Sequence, residues 1–212
     1  MMRSLSNRLF LGFLSFLFFL GGCSSTPSTS SSSSISGCAP DEVSCEQEEI
    51  NEAKMLSKDF DPMSFEEAIA FFEDKQSGLL YFGFPNCPWC QEVVPILHEL
   101  ASQAHVPVYY IQTRDEEGIR LYTDSQRDDI APYLNDFIRN NAKGEPTLYV
   151  PLVLAIENGQ VIKGHQGTIS GHNAHEEELT SVQKQELQED LSELVNLVAQ
   201  NQEKKEEEKD LS

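Results

Sequence analysis

The apolar positions of the chain change period several times, and each change marks an element. Phe65, Ala68, Ile69 and Phe72 recur at i, i+3, i+4 and i+7, which is one face of a helix. Ser64 and Glu67 have the spacing of a capping box at its start. Gln76-Ser77-Gly78 ends it, and residues 79–84 (LLYFGF) form a continuous apolar run, as a strand covered on both faces requires. Pro85 and Asn86 turn the chain. Helical spacing then returns in Val93, Val94, Leu97 and Leu100, and residues 106–111 (VPVYYI) read as a second strand. A strand, a helix and a strand in that order imply parallel strands.

Residues 114–128 are polar and carry no clear period. Ile130, Leu134, Phe137 and Ile138 predict a further short helix with Pro132 in its first turn, where proline is tolerated. Residues 148–156 predict a third strand, Asn158-Gly159 a hairpin turn, and residues 160–163 the start of a fourth strand. Thr180 and Gln183 are placed to cap a last helix whose buried face is Leu187, Leu191, Leu194, Val195 and Val198. The predicted order is α-β-α-β-α-β-β-α, an α/β fold. Phe71, Phe72, Tyr109 and Tyr110 are assigned to its core.

The ends of the chain lack such patterning. Arg3 and Arg8 precede an apolar run at residues 9–20, followed by Gly21, Gly22 and Cys23. A basic start, a run too short to span a bilayer and small residues at its end describe a secretory signal peptide over residues 1–22. Leu20-Gly21-Gly22-Cys23 resembles the bacterial lipobox, which implies that Cys23 is lipidated and becomes the mature N-terminus. Residues 24–37 are almost entirely Ser, Thr and Pro, so residues 23–45 are expected to act as a lipidated tether. One domain is left, at residues 46–200, and the Lys/Glu-rich residues 201–212 are expected to be disordered. The protein is thus placed at the cell membrane, lipid-anchored on the extracytoplasmic side.

Charge narrows the partners. The chain carries a net charge of −20; loss of residues 1–22 removes two arginines and no acid, leaving 13 basic against 35 acidic residues. Nucleic acid is therefore excluded as a partner of the folded domain. With Cys23 set aside, four cysteines remain: Cys38, Cys45, Cys87 and Cys90. An even number in an exported chain suggests two pairs.

Cys87-Pro88-Trp89-Cys90 falls between a buried strand and a helix. Two residues between cysteines at a helix start let both sulfurs approach bonding distance, and the helix N-terminus favours a Cys87 thiolate. Cys87 is expected to be the solvent-reactive nucleophile, with a lowered pKa, and Cys90 the buried resolving thiol. Half of a zinc site is the rival reading, but no second CxxC or CxxH follows. His165, His172 and His175, beside the acids 176–178, could bind a metal; a polar loop is the simpler reading. No cofactor is called for. Glu99 and Asp115-Glu116-Glu117 read as solvated surface.

At this point the chain resembles the thioredoxin superfamily over residues 64–198. Pro95 lies five residues after Cys90, and Val150-Pro151 stands seven residues before Asn158-Gly159, the spacing of the family's cis-proline strand and hairpin. The resemblance implies a thioredoxin fold with a mixed sheet of about four strands flanked by helices. It also implies that Pro151 is cis and that Pro88, Trp89, Val150 and Pro151 contact substrate. Many members carry a buried acid six residues before the first cysteine; here that residue is Tyr81, which leaves water or Glu92 to take the Cys90 proton. The anchor, the YFG-x-P-x-CPxC motif and a Gly/His-rich turn are similar to lipoprotein thioredoxin-like proteins of Gram-positive bacteria, including bacteriocin transport accessory proteins.

Three functions are open on this reading. The chain is a thiol-disulfide oxidoreductase of protein or peptide substrates, served by a redox partner, or an accessory module that binds secreted peptides in the same groove, or a metal carrier. The intact CPWC together with Val150-Pro151 favours the first. For the remaining cysteines, the turn-forming CAPDEVSC segment predicts a local Cys38–Cys45 disulfide, and exchange with Cys87 stays open as a regulatory alternative.

Overall fold

The computed structural model describes residues 57–210, all within the compact unit Cys38–Ser212. A 3-10 turn, Ser57–Asp59, leads into a two-residue edge strand, β1 (Asp61–Pro62). Helix α1 (Phe65–Glu73) follows, and its start is the expected capping box: Ser64 Oγ accepts from Glu67 N–H at 3.1 Å, while Glu67 Oε2 accepts from Ser64 N–H at 2.7 Å. Phe65, Ala68, Phe71 and Phe72 are its buried residues, and Ile69 is only half-buried.

Strand β2 (Gly78–Gly83) is buried throughout, helix α2 (Pro88–Ala104) follows it, and β3 (Val108–Gln112) returns parallel to β2. Helix α3 (Asp124–Leu134) departs from the expected pattern. The expected helix begins earlier, inside the supposedly unpatterned polar segment, so Pro132 falls near its end instead of in its first turn. Its start is fixed by Thr123 and Gln126: Thr123 Oγ1 accepts from Gln126 N–H at 3.2 Å, and Gln126 Oε1 accepts from Thr123 N–H at 2.7 Å. Phe137 lies in a 3-10 turn, and Ile138 opens a small hairpin, β4 (Ile138–Asn140) with β5 (Pro146–Leu148).

The predicted single strand at 148–156 is therefore two. Strand β6 (Leu152–Glu157) is separated from β5 by Tyr149-Val150-Pro151, and the Val150–Pro151 bond is cis, as the resemblance implied. Strand β7 (Gln160–Gln166) completes a hairpin across Asn158-Gly159, both at positive φ (50° and 72°) as a tight hairpin turn requires. A Cβ at Gly159 would lie 2.4 Å from the carbonyl oxygen of Phe72, so the turn also needs glycine to pack against the end of α1.

The last helix, α4 (Ser181–Asp210), starts at the expected Thr180 cap, whose Oγ1 accepts from Gln183 N–H at 3.3 Å. It buries Leu187, Leu191, Leu194, Val195 and Val198. The Lys/Glu-rich end is helical through Asp210, contrary to the expected disordered tail. Lys and Glu are good helix formers, and Lys205 Nζ donates to Ser77 Oγ at 2.9 Å, which ties that end to the domain.

The main sheet has five strands in the order β1-β3-β2-β6-β7, one more than expected because β1 adds a short edge. β1, β3 and β2 are parallel, while β6 and β7 are antiparallel to their neighbours. Helices α2 and α4 supply the core on one face, with Leu79, Tyr81, Val153 and Ala155 from the sheet. Helices α1 and α3 supply the core on the other, with Leu80, Phe82, Ile111 and Leu154. This strand order, with the connecting helices on both faces and a cis-proline opening β6, is the thioredoxin fold.

Candidate functional site

The site forms where β2 ends and α2 begins. Cys87 is the N-cap of α2, with extended backbone (φ −87°, ψ 115°), and Pro88 occupies the first helical turn, where its missing N–H costs nothing. Cys87 Sγ accepts the backbone N–H of Cys90 at 3.2 Å. The sulfur thus takes the place that a serine or aspartate oxygen takes at other caps. Pro95, inside the helix, leaves the Gln91 carbonyl without its usual donor.

Cys87 and Cys90 are both free thiols and both only 2% exposed. Exposure therefore does not separate them as expected; position does. Cys90 lies one turn inside the helix, where burial pushes its thiol well above the ordinary value, and the neighbouring Cys87 pushes in the same direction. The Phe84 backbone and the Tyr81 hydroxyl oppose that rise.

Pro151 is buried and Val150 half-buried. β6 pairs antiparallel with β2, Leu152 opposite Phe82, which puts Pro151 at the same end of the sheet as the loop carrying Cys87. The turn before β6 is braced from β7: the Gln166 amide donates to the carbonyls of Tyr149 and Phe137 (both 3.0 Å), and Gly167 N–H donates to the Pro151 carbonyl at 2.8 Å. Pro88 and Trp89 are half-buried, and the Trp89 ring meets His175 edge-on with centroids 4.8 Å apart.

The three histidines do not converge. His165 Nε2 contacts the Thr168 carbonyl oxygen at 3.0 Å, His175 packs on Trp89, and His172 Nε2 lies 2.8 and 3.0 Å from the two carboxylate oxygens of Glu92. Among the described residues no group of three or more His, Cys, Asp or Glu side chains could hold a metal ion. Glu92, one candidate base for Cys90, is thus committed to His172, whose side chain is fully buried. Burial raises the Glu92 carboxyl, and the His172 contacts and the Leu179 backbone pull it back. This pair closes the 167–180 loop onto α2.

Sequence reasoning missed two contributors. Tyr110, assigned to the core, stacks on Tyr81 with ring centroids 5.3 Å apart. Gly83 leaves the room that the Tyr81 ring fills. Strand alternation is the signal that finds Tyr110: Tyr109 turns to Phe71 on the α1 face, so Tyr110 must face α2. A groove of about 770 Å³, lined in part by Phe60, Met63, Phe65 and Leu121, adjoins Tyr110 and Pro85. Cys23, Cys38 and Cys45 lie outside the described residues.

No family model matches the chain. A solved structure described as a proposed oxidoreductase with a thioredoxin fold aligns with 53% of this chain and 86% of its own, at 15% identity and a TM-score of 0.35. A likeness of that size carries no argument, and the fold assignment stands on the strand order. Among the described residues no helix is long and apolar enough to cross a membrane.

Proposed function

We propose that this protein is an extracytoplasmic thiol-disulfide oxidoreductase, held at the membrane by lipid on Cys23, that exchanges disulfides of protein or peptide substrates through Cys87 and Cys90. The observation that carries the reading is the position of Cys87: a thiol at the N-cap of a helix, receiving the Cys90 N–H, with a second thiol one turn behind it. That arrangement favours one nucleophilic sulfur and supplies a partner to resolve the product.

In the reducing direction, the Cys87 thiolate attacks one sulfur of a substrate disulfide. The substrate S–S bond breaks, a Cys87–substrate disulfide forms, and the first substrate thiolate leaves and takes up a proton. Cys90 then attacks Cys87 Sγ and releases the second thiolate, leaving a Cys87–Cys90 disulfide. Two electrons pass from the dithiol to the substrate; the oxidising direction is the reverse. The turn at Val150-Pro151, at the same end of the sheet as Cys87, and Trp89, between the two cysteines, would contact the substrate chain. A local Cys38–Cys45 disulfide at the end of the tether remains part of the proposal and has a structural role in it.

Insulin reduction with dithiothreitol as electron donor tests the activity. The wild type is expected to accelerate it and Cys87→Ser to fall to the uncatalysed background. Peptide binding with no acceleration by the wild type would favour the accessory-module reading instead.

A further inference from the structure

Resolution of the mixed disulfide needs Cys90 as a thiolate, in a pocket where burial opposes its charge. Glu92 is taken up by His172, so its carboxylate does not serve the sulfur. The polar side chain set beside it is Tyr81. Tyr81 is 1% exposed, lies in the middle of β2, and lines the same small cavity as Cys90. The register pairs it with Tyr110 on β3, and paired residues on neighbouring strands project from the same face. The two rings accordingly stack, with planes 19° apart, and Phe60 meets the Tyr81 ring edge-on.

Space for the phenol is made at residue 83. A Cβ there would lie 2.2 Å from the Tyr81 hydroxyl and 2.5 Å from Cζ, distances no side chain accommodates. A small cavity of about 10 Å³, the lower limit for holding a water, is bounded by Tyr81, Tyr110 and Cys90 among others. Tyr81, Tyr110 and Cys90 therefore border one small space.

We propose that Tyr81 is a catalytic residue of this site, whose phenol donates a hydrogen bond to the Cys90 sulfur and stabilises it as the thiolate that resolves the mixed disulfide. Gly83 and Tyr110 act through it as positioning residues. The proposal rests on the exchange reading above. In the resolving step the Cys90 proton passes to solvent water, the Cys90–Cys87 bond forms as the Cys87–substrate bond breaks, and the substrate thiolate takes up a proton. Tyr81 keeps its own proton throughout. Burial and the neighbouring sulfurs hold its pKa well above 10.0, so it acts as a donor and not as a base. Such a residue differs in kind from a buried carboxylate, because it adds no ionisation of its own near neutrality.

The test titrates Cys90 directly, in the reduced full chain carrying Cys87→Ser, by iodoacetamide alkylation followed peptide by peptide across pH. Adding Tyr81→Phe removes one hydrogen bond to a charged group and is expected to lower the Cys90 alkylation rate about tenfold or more at a given pH, by moving its titration upward. Fluorotyrosine placed at position 81, a stronger donor of nearly the same shape, is expected to move the titration downward. It decides the matter if Tyr81→Phe does not fold. With both cysteines present, Tyr81→Phe is expected to slow release of the mixed disulfide by a similar factor and leave the first attack by Cys87 unchanged. An unmoved Cys90 titration, or equal slowing of both steps, would overturn the role. The titration needs no turnover, so failure of the wild type to exchange disulfides would sink the functional reading alone.

Discussion

The two faces of the central sheet are built from the same strands and hold different things. Along β2, Leu79 and Tyr81 point to the α2 and α4 face, and Leu80 and Phe82 to the α1 and α3 face. The α1 and α3 face is closed by aliphatic side chains and stacked rings, Phe65 on Tyr122 at 4.5 Å and Phe72 on Tyr133 at 5.0 Å, with neither Cys87 nor Cys90 among them. The opposite face sets Tyr81 and Tyr110 beside Cys90. Stability and reactivity are thus drawn from opposite sides of one β-strand layer, and alternation along a single strand decides which residue serves which.

Substitutions can break that division. Leu154 is fully buried on the α1 and α3 face. Leu154→Ala is expected to cost about 2–5 kcal/mol in urea unfolding, yet to leave the Cys90 titration of the folded protein where it was. A shift in that titration would show that the faces are coupled.

A smaller effect comes from the reactive face itself. Burial holds the folded Cys90 thiol above its ordinary value of 9.0, so the unfolded chain sheds that proton first as pH rises. The stability linked to Cys90 is fully present below about pH 9 and is lost as pH climbs toward the folded value. Reduced wild type is therefore expected to lose more stability between neutral and alkaline pH than reduced Cys90→Ser, measured by urea unfolding at each pH. Parallel pH profiles for the two would remove burial of Cys90 from the account.

Much of this architecture was legible in the sequence, because its signals are local. The Ser64 cap, the Leu-rich face of α4 and the Asn158-Gly159 turn each depend on residues a few positions apart. The CPWC pair was legible for the same reason. Helix α3 was misread although Thr123 and Gln126 repeat the spacing used correctly at Thr180 and Gln183; its weakly apolar sequence hid the start. The split at Tyr149-Val150-Pro151 was hidden by an apolar run that continues across the cis bond. The Glu92–His172 contact joins residues 80 positions apart, and the Tyr81–Tyr110 stack joins two strands, so neither has a local signature. Tyr81 was noticed only as a missing acid; its role needed Gly83 and Cys90 in three dimensions.

The central claim is that Cys87 attacks and Cys90 resolves. The most direct measurement gives reduced Cys90→Ser protein a disulfide-bonded peptide and maps the adduct by mass spectrometry without reduction. The account expects a stable mixed disulfide on Cys87 in this variant and only a transient one in the wild type, which goes on to a Cys87–Cys90 bond. An adduct confined to Cys38 or Cys45, with Cys87 unmodified, would contradict it.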